Sequence, residues 1–168
     1  MGPDSVHLAL LKHCSTNLTY PLFKIFTIST NSGEIPDVWK KSSVVPIFKK
    51  GKQCDPLNYR PVSLTSVCCK ILERIIAVAL HEYLETNSLL NDDQFGFRPG
   101  RSVEDQLLLT YNAVSKWMDT GNVVDIILFY FSKAFDTVNH QMLFTKLNLL
   151  GINGIILSWI KTWLYFAA

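Results

Sequence analysis

One long amphipathic stretch constrains the fold of this chain more than any other feature. Residues 58–90, from "NYRPVSL" to "ETNSLL", are predicted to form mostly one helix, because apolar side chains recur there at helical spacing. The positions predicted for its buried side are Ile71, Leu72, Ile75, Ile76, Val78, Ala79, Tyr83 and Leu84. With 168 residues, 48% of them hydrophobic, the chain has the size and the material for one folded domain, or for one and a fraction, rather than for a disordered segment.

Helices are also expected on both sides of this stretch. Asp4 lies near the start of the first, Pro21 falls within the second, and Ser102 with Asp105 forms a capping-box-like start for a third. The predicted spans are 4–13, 16–33 (ended by 31–33) and 103–120, with one more helix from about Asn139 and an apolar stretch over 154–168.

Two short segments are typical of strands. Residues 38–52 contain a Val/Ile/Phe strand that Pro46 interrupts, which predicts an edge strand or a bulge. Residues 126–131, "IILFYF", are all bulky, which predicts a strand covered on both faces. The polar turn that follows such a strand is a common place for chemistry in α/β proteins. The expected fold class is therefore α/β in the broad sense (α+β), mostly helical with short strands.

Charge and special residue types exclude several classes of function. The formal net charge of +2 is too small to indicate nucleic-acid binding by itself, and a cluster of cations is most often a solvated face. The cations do cluster, however, at Lys40, Lys41, Lys49, Lys50, Lys52 and Arg60, and again at Arg98 and Arg101.

The four cysteines have no CxxC spacing and the histidines are scattered, which favours a reduced, intracellular chain without a zinc cluster. No apolar run is long enough to span a membrane, and the start of the chain is typical of neither a lipid-attachment site nor a secretory leader.

Four linked motifs carry a family resemblance. "PIFKKGK", "NYRPVSLTS", "QFGFRPGRS" and "FSKAFDTVNH", in this order, resemble the reverse transcriptase of jockey-like non-LTR retrotransposons, and the similarity runs from residue 2 to residue 161. The resemblance implies the fingers of a right-hand polymerase over residues 1–121, with an N-terminal helical extension, and an incomplete palm over residues 122–168. It also implies RNA template, DNA primer and dNTP as partners, and Mg²⁺ as the family's cofactor.

The resemblance assigns nucleotide binding to cations of the fingers. Lys49, Lys50, Lys52 and Arg60 would face the triphosphate of the incoming dNTP, where a guanidinium can bind phosphate oxygens in a bidentate manner. The alternative for Arg60 is an ordinary ion pair with Asp55 or Glu73.

Further roles follow for a loop and for one aromatic residue. Gln94, Arg98 and Arg101 would lie along the template, with the two arginines on backbone phosphates; the alternative is a plain loop before a helix. Phe135 matches the family's steric gate, which excludes a ribose 2′-OH; the alternative is a core phenylalanine.

The position at which the family carries its first metal-binding aspartate is Tyr130 in this chain. A neutral phenol cannot bridge two hard cations as a carboxylate does. Asp125 is no substitute, since five residues of strand would place it about 16 Å away and on the opposite face. Asp136 lies past the turn and has its own place in the motif. The resemblance therefore predicts no intact catalytic set and no metal site.

The family's later motifs, including a hairpin with paired aspartates, are absent from these residues; Asp92–Asp93 instead precede "QFGF" and are expected to be solvated loop charge. We therefore expect a decayed or truncated reading frame that does not polymerise DNA and that self-associates through its unpaired first palm strand. Three alternatives stay open: a domesticated nucleic-acid-binding module, a structural or interaction protein, and a fragment of a mis-bounded gene model.

Overall fold

The computed structural model describes residues 2–131 and 134–167, and within them the chain forms six α-helices and a two-stranded antiparallel sheet. In chain order the elements are α1 (Leu8–His13), α2 (Ser15–Ser32), β1 (Ser43–Phe48), β2 (Tyr59–Leu64), α3 (Val67–Thr86), α4 (Val103–Asp119), α5 (His140–Leu149) and α6 (Gly154–Ala167). A mixed, mostly helical chain with short strands was predicted, and this part of the prediction is confirmed. The assignment to polymerase fingers and palm stays a prediction.

The chain divides into two compact units. The first comprises Met1–Ile76 and Val138–Ala168, and the second comprises Ala77–Thr137. The first unit therefore holds α1, α2, the sheet, the beginning of α3, α5 and α6, whereas the second holds the end of α3 and α4. This division reflects which parts of the chain contact one another. It does not test the expected boundary between fingers and palm, between residues 121 and 122, which stays a prediction.

The sheet is a hairpin whose second strand was not predicted. Tyr59–Leu64, expected to be helical, pairs with Ser43–Phe48, and Pro46 faces Pro61 in the register. A proline inside a helix destabilises the helix by roughly 3 kcal/mol, so Pro61 disfavours helix formation at this position. A strand at the edge of a sheet tolerates a proline. The predicted edge character of Pro46 is consistent with this sheet, because both of its strands lie at an edge.

Helix α3 begins later than predicted, at a polar contact with the start of the chain. The Ser66 hydroxyl accepts a hydrogen bond from the Cys69 amide (3.2 Å) and donates one to Asp4 Oδ2 (2.5 Å). Asp4 was expected to begin the first helix, but the cap of α1 is His7, whose Nδ1 accepts from the Ala9 amide. Asp4 therefore holds a contact 62 residues away in sequence, and helical periodicity contains no information about such a contact.

The buried side of α3 is narrower than the sequence suggests. Leu72 and Ile76 are buried as predicted, together with Cys68 and Cys69. Ile75, Val78, Ala79 and Tyr83 were predicted to be buried but are exposed, so those predictions are wrong. Only one stripe of the helix is covered in the described part of the chain.

A buried hydrogen bond joins two distant helices in the core of the first unit. Trp159 of α6 is 3% exposed and donates from its indole nitrogen to the Ser29 hydroxyl of α2 at 3.0 Å. Ser29 in turn donates to the Glu34 carbonyl. Gly33 ends α2 with a positive φ of 71°, and a Cβ at this position would meet the Ser158 side chain at 3.3 Å. The predicted end of the second helix at residues 31–33 is thus confirmed.

The segment predicted as a buried palm strand is neither buried nor a strand. Residues 122–131 pair with no strand among the described residues, and Leu128 and Tyr130 are 89% and 91% exposed. A strand needs a hydrogen-bonding partner, and the described chain offers none to this segment.

In the second unit, the described residues include no buried apolar side chain, and Leu107, Leu108 and Leu109 of α4 are all exposed.

The helices flanking this segment agree with prediction. Ser102 caps α4 by accepting from the Asp105 amide at 3.0 Å, and Asn139 caps α5 by accepting from the Met142 amide at 3.0 Å. Along the described residues, no helix combines the length and the apolar character that crossing a membrane would require.

Candidate nucleic-acid interface

The turn between β1 and β2, residues 49–58, carries the predicted lysines, and we call it the basic turn. At its base, the Lys49 amide donates to the Asn58 carbonyl at 2.8 Å. The Asn58 side chain donates across the turn to the Lys52 carbonyl at 2.9 Å. Gly51 has a φ of 93°, and a Cβ there would lie 2.6 Å from the Asn58 amide nitrogen, so the turn requires glycine at this position.

Two more contacts fix the second half of the basic turn. Asp55 accepts from the Leu57 amide at 3.0 Å and so begins a short 3₁₀ helix, Pro56–Asn58. The Tyr59 hydroxyl donates to the Gln53 carbonyl at 2.8 Å. The backbone of the turn is therefore held by its own residues, and its lysine side chains are not needed to hold it.

The four predicted nucleotide-binding cations lie on this one hairpin. Lys49, Lys50 and Lys52 are exposed, and Arg60 is exposed on β2 opposite Ile47 of β1. Within the described residues, Arg60 forms no ion pair with Asp55 or Glu73, so the structure does not favour that alternative. A compact group of solvated cations on an ordered turn can bind phosphate groups.

The loop at residues 91–102, predicted to follow the template, is organised around Arg98. Its guanidinium forms two hydrogen bonds to the Glu85 carboxylate, from Nε to Oε1 (2.8 Å) and from Nη2 to Oε2 (2.7 Å). Nη1 also donates to the carbonyl of Asn91 at 2.6 Å. Because the Arg98 side chain is largely buried and these groups use its donors, the geometry favours a role in positioning the loop over a direct phosphate contact.

Arg101 is the more available cation of this loop. Its Nη1 donates to the Asp92 carbonyl at 2.5 Å, its Nη2 lies 3.3 Å from Asp92 Oδ1, and its guanidinium carbon lies 5.2 Å from the centre of the Phe95 ring. The Asp92 side chain is 95% exposed, so this ion pair is a weak surface pair that a phosphate could replace. Gln94, the third predicted template residue, is exposed and donates to the Gly96 carbonyl at 3.3 Å.

An aromatic pair in the second unit includes the predicted steric gate. The rings of Phe97 and Phe135 meet edge to face, with centres 5.8 Å apart. Phe135 is 76% exposed, so the alternative of a core phenylalanine is wrong, while its role as a gate stays a prediction.

Phe97 has a positive φ of 60°, and its carbonyl is hydrogen-bonded to His81 Nε2 at 3.0 Å. Sequence reasoning missed Phe97, because nothing in "QFGFRPG" distinguishes a strained phenylalanine from an ordinary one. Ser132 and Lys133 of the same motif lie outside the described residues.

The residues around Tyr130 do not fit the divalent ions that the family implies. Tyr130 is a neutral phenol on an exposed segment, and the described residues contain no group of three or more potential His, Cys, Asp or Glu ligands.

The predicted site residues fall into two sets. Lys49, Lys50, Lys52 and Arg60 belong to the first unit, whereas Gln94, Arg98, Arg101, Tyr130 and Phe135 belong to the second. A single cleft that joins the two sets stays a prediction.

Replacing Arg98 with glutamine is expected to loosen the loop at 91–102, because Glu85 loses its partner and the Asn91 carbonyl loses a donor. The backbone amides of the loop should exchange with deuterium faster, while those of α2 should be unchanged. Arg74→Gln is the matched control, since Arg74 is exposed on the same helix as Glu85. Equal exchange rates in the two variants would contradict the positioning role.

The Arg98–Glu85 pair also predicts a pH dependence. The hydrogen bond from Arg98 holds the pKa of the Glu85 carboxyl below its ordinary value of 4.5. Because the folded-state pKa is lowered, the stabilisation is fully present above the ordinary pKa and is lost as the pH falls through the folded-state pKa. Exchange of the loop, corrected for intrinsic rates, should therefore accelerate in acid, and less so in Arg98→Gln. A loop equally protected on both sides of that pKa would contradict this.

Comparison with known proteins places the chain in a family. The family model described as reverse transcriptase (RNA-dependent DNA polymerase) matches residues 47–168. The chain is 32% identical over 146 residues to the probable RNA-directed DNA polymerase from transposon BS of Drosophila melanogaster, covering 86% of this chain and 16% of that protein. It is 32% identical over 123 residues to the RNA-directed DNA polymerase from mobile element jockey of the same fly, covering 73% of this chain and 13% of that protein. A third relative is the retrovirus-related Pol polyprotein from the type-1 retrotransposable element R2 of Popillia japonica, with 31% identity over 123 residues, 72% of this chain and 16% of that protein.

The chain thus spans between about an eighth and a sixth of the length of these relatives. The matched residues contain the basic turn, the loop at 91–102 and the segment with Tyr130. This chain belongs to the reverse transcriptase (RNA-dependent DNA polymerase) family, in the group carried by jockey-like non-LTR retrotransposons.

Proposed function

We propose that this chain supplies the fingers and the beginning of the palm of a reverse transcriptase, binds phosphates of template, primer and nucleotide, and does not itself polymerise DNA. One observation carries the proposal: the basic turn presents Lys49, Lys50 and Lys52 to solvent beside Arg60, on a backbone that is held by its own hydrogen bonds.

The chemistry of phosphate binding explains why such a turn suits the task. Each lysine that neutralises a phosphate of a nucleic acid releases condensed counterions, which favours binding whatever the base sequence. Because the backbone of the turn is already ordered, binding has to order only the lysine side chains. Arg60 adds a planar group that can hold two phosphate oxygens at once.

The second unit would contribute a template contact through Arg101. Nη1 would keep its hydrogen bond to the Asp92 carbonyl, while Nη2 would exchange the exposed Asp92 carboxylate for a phosphate, and the Phe95 ring supports the guanidinium plane from one side. Arg98 would act through the loop, by holding it against Glu85, rather than by touching the template.

The lack of polymerase activity is proposed from Tyr130. Nucleotide addition needs two divalent ions that stabilise the attacking and leaving oxygens, and those ions need several converging carboxylates. The phenol of Tyr130 supplies none. Phosphate binding by cations requires no such site, so the chain could keep binding while lacking catalysis.

Hydrogen–deuterium exchange with and without a primed RNA template tests the binding role directly. We expect slower exchange in the basic turn and at residues 99–102, and no change at Lys116 near the end of α4, a cation outside both segments. Protection confined to other segments, or absent everywhere, would overturn the proposal.

A specific observation also supports self-association as a second role. Residues 126–131 expose six bulky side chains in a row, and extended apolar segments with unpaired backbone promote association between chains. We expect the sedimentation coefficient to rise with protein concentration. Leu128→Lys should suppress the rise, whereas Leu149→Lys, at a comparably exposed leucine of α5, should not. A concentration-independent monomer would contradict this role.

A further inference from the structure

The imidazole ring of His81, on α3, contacts two backbone carbonyl oxygens. Its Nδ1 lies 2.9 Å from the carbonyl oxygen of Ala77, which is one turn earlier on the same helix. Its Nε2 lies 3.0 Å from the carbonyl oxygen of Phe97, in the loop at 91–102. All three residues belong to the second unit. The ring therefore joins α3 to the loop.

The protonation state of this ring follows from the chemistry of its two partners. A carbonyl oxygen can only accept a hydrogen bond, so each ring nitrogen has to donate one. A neutral imidazole has a single N–H, and only the imidazolium has two. In either neutral tautomer, one nitrogen lone pair would face a carbonyl oxygen at hydrogen-bond distance, and that contact would be repulsive. The geometry therefore fits a positively charged His81.

The carbonyl that His81 holds in the loop belongs to a residue with an unusual backbone conformation. Phe97 has a φ of 60°, which residues other than glycine rarely adopt and which persists only where neighbouring contacts hold it. Its side chain is 81% exposed, so burial of the ring does not supply that restraint. The hydrogen bond from His81 and the edge-to-face contact with Phe135 do supply it. Weakening the His81 contact would therefore loosen the loop at Phe97.

Charged groups near the ring both favour and oppose its positive charge. On α3, the Glu85 carboxylate lies one turn after His81 and attracts the imidazolium. From the loop, Arg98 and Arg101 oppose the charge, but each arginine is paired with a carboxylate of its own. In the segment that meets the loop through the aromatic pair, the charged group among the described residues is Asp136, also an acid.

We propose that His81 is a pH-dependent switch, which holds the loop at 91–102 against α3 while its ring is protonated and holds it less well once the ring is neutral. Histidine is the side chain whose charge ordinarily changes between pH 5 and 8. Because both hydrogen bonds favour the charged form, their stabilisation is present at the lower pH and is lost as the pH rises through the titration of the ring.

Loss of the proton weakens the contact in either neutral tautomer. If the remaining proton is on Nδ1, the Phe97 carbonyl loses its donor. If it is on Nε2, the lone pair of Nδ1 repels the Ala77 carbonyl, so the ring has to turn and the hydrogen bond to Phe97 is misaligned. The direction is opposite to that of the Arg98–Glu85 pair, which is lost in acid. The loop should therefore be most ordered between the two transitions.

The switch would act on the loop that carries Arg101, and so on the presentation of that guanidinium to a template phosphate. This consequence rests on the proposed function. The switch itself does not, because the contacts that define it lie within the chain.

Hydrogen–deuterium exchange of the unmodified chain between about pH 5.5 and 8, without RNA, tests the switch. Corrected for intrinsic rates, the backbone amides at 95–98 should exchange roughly 3- to 10-fold faster at the upper end of this range, as expected for one lost hydrogen bond. The amides of α2 should not change. The Glu85 carboxyl stays ionised throughout, because the hydrogen bond from Arg98 holds its pKa below 4.5. Without RNA in the sample, failure of the proposed binding function would leave this result unchanged.

Two variants assign the effect to this ring. His81→Gln removes the titrating group, so exchange at 95–98 should no longer depend on pH over this range. His13→Gln is the matched control at an exposed histidine of α1, and it should keep the full pH dependence. Thermal melts of each variant show whether it is folded.

The nitrogen chemical shifts of the imidazole rings, measured by NMR on the unmodified chain, give an independent readout. We expect the His81 ring to carry two N–H groups at about pH 5.5 and to lose one with the same midpoint as the change in exchange. Three results would overturn the proposal: a single N–H on His81 at the lower pH, exchange at 95–98 that does not change with pH in the unmodified chain, or a pH dependence that persists in His81→Gln.

Discussion

Replacing Lys49, Lys50 and Lys52 together with glutamine is expected to weaken binding of single-stranded RNA roughly 100-fold at about 0.1 M salt. Each single-strand phosphate contact contributes about 0.7 to the slope of log affinity against log salt concentration. Three lost contacts therefore remove about two from that slope. Near 1 M salt the electrostatic contribution is small, so the variant and the unmodified chain should bind RNA about equally there. At a tenfold lower salt concentration, a difference of about two in slope makes the affinity of the variant about 100-fold lower.

A matched variant separates the basic turn from overall charge. Lys12, Lys24 and Lys146 are exposed helical residues of the same unit, and replacing them with glutamine lowers the net charge equally. This control should bind RNA nearly as well as the unmodified chain, and circular dichroism should show both variants folded. Equal weakening in the two variants would mean that binding reflects net charge and not the basic turn. Arg101→Gln should weaken binding independently, because Arg101 lies on a separate loop.

The second large effect concerns polymerisation. The purified chain, given a primed RNA template, dNTPs and Mg²⁺, is expected to form no extension product, because by the family resemblance Tyr130 takes the position of a metal-bridging carboxylate. Tyr130→Asp should not restore activity, since one carboxylate does not make a site for two hard cations. The measurement is primer extension resolved by gel, with an active reverse transcriptase as the positive control. Template-dependent product from either form of the chain would show that the metal-site argument is wrong.

Local signals in the sequence predicted most of the helices. Ser102 and Asn139 are capping residues whose side chains accept from amides three positions on, so the starts of α4 and α5 could be located from the sequence alone. Gly33 likewise marked the end of α2. Each of these signals acts within one helical turn, which explains why pattern reasoning succeeds with them.

Features that depend on distant partners could not be predicted in the same way. Tyr59–Leu64 is a strand because Ser43–Phe48 pairs with it, and residues 126–131 are exposed although their composition is that of a buried strand. In the candidate site, the lysines of the basic turn were recognisable from the sequence. The role of Arg98 was not, because its partner Glu85 stands 13 residues earlier, on α3.

The salt dependence of RNA binding by the unmodified chain tests the central claim most directly. Fluorescence anisotropy with a labelled single-stranded RNA, repeated over a series of salt concentrations, gives the slope of log affinity against log salt. With roughly three to five phosphate contacts, we predict a slope of about −2 to −4 and little dependence on RNA sequence. If binding near physiological salt is not measurable, or if the slope is near zero, the basic turn is only a solvated surface and the proposed binding function is wrong.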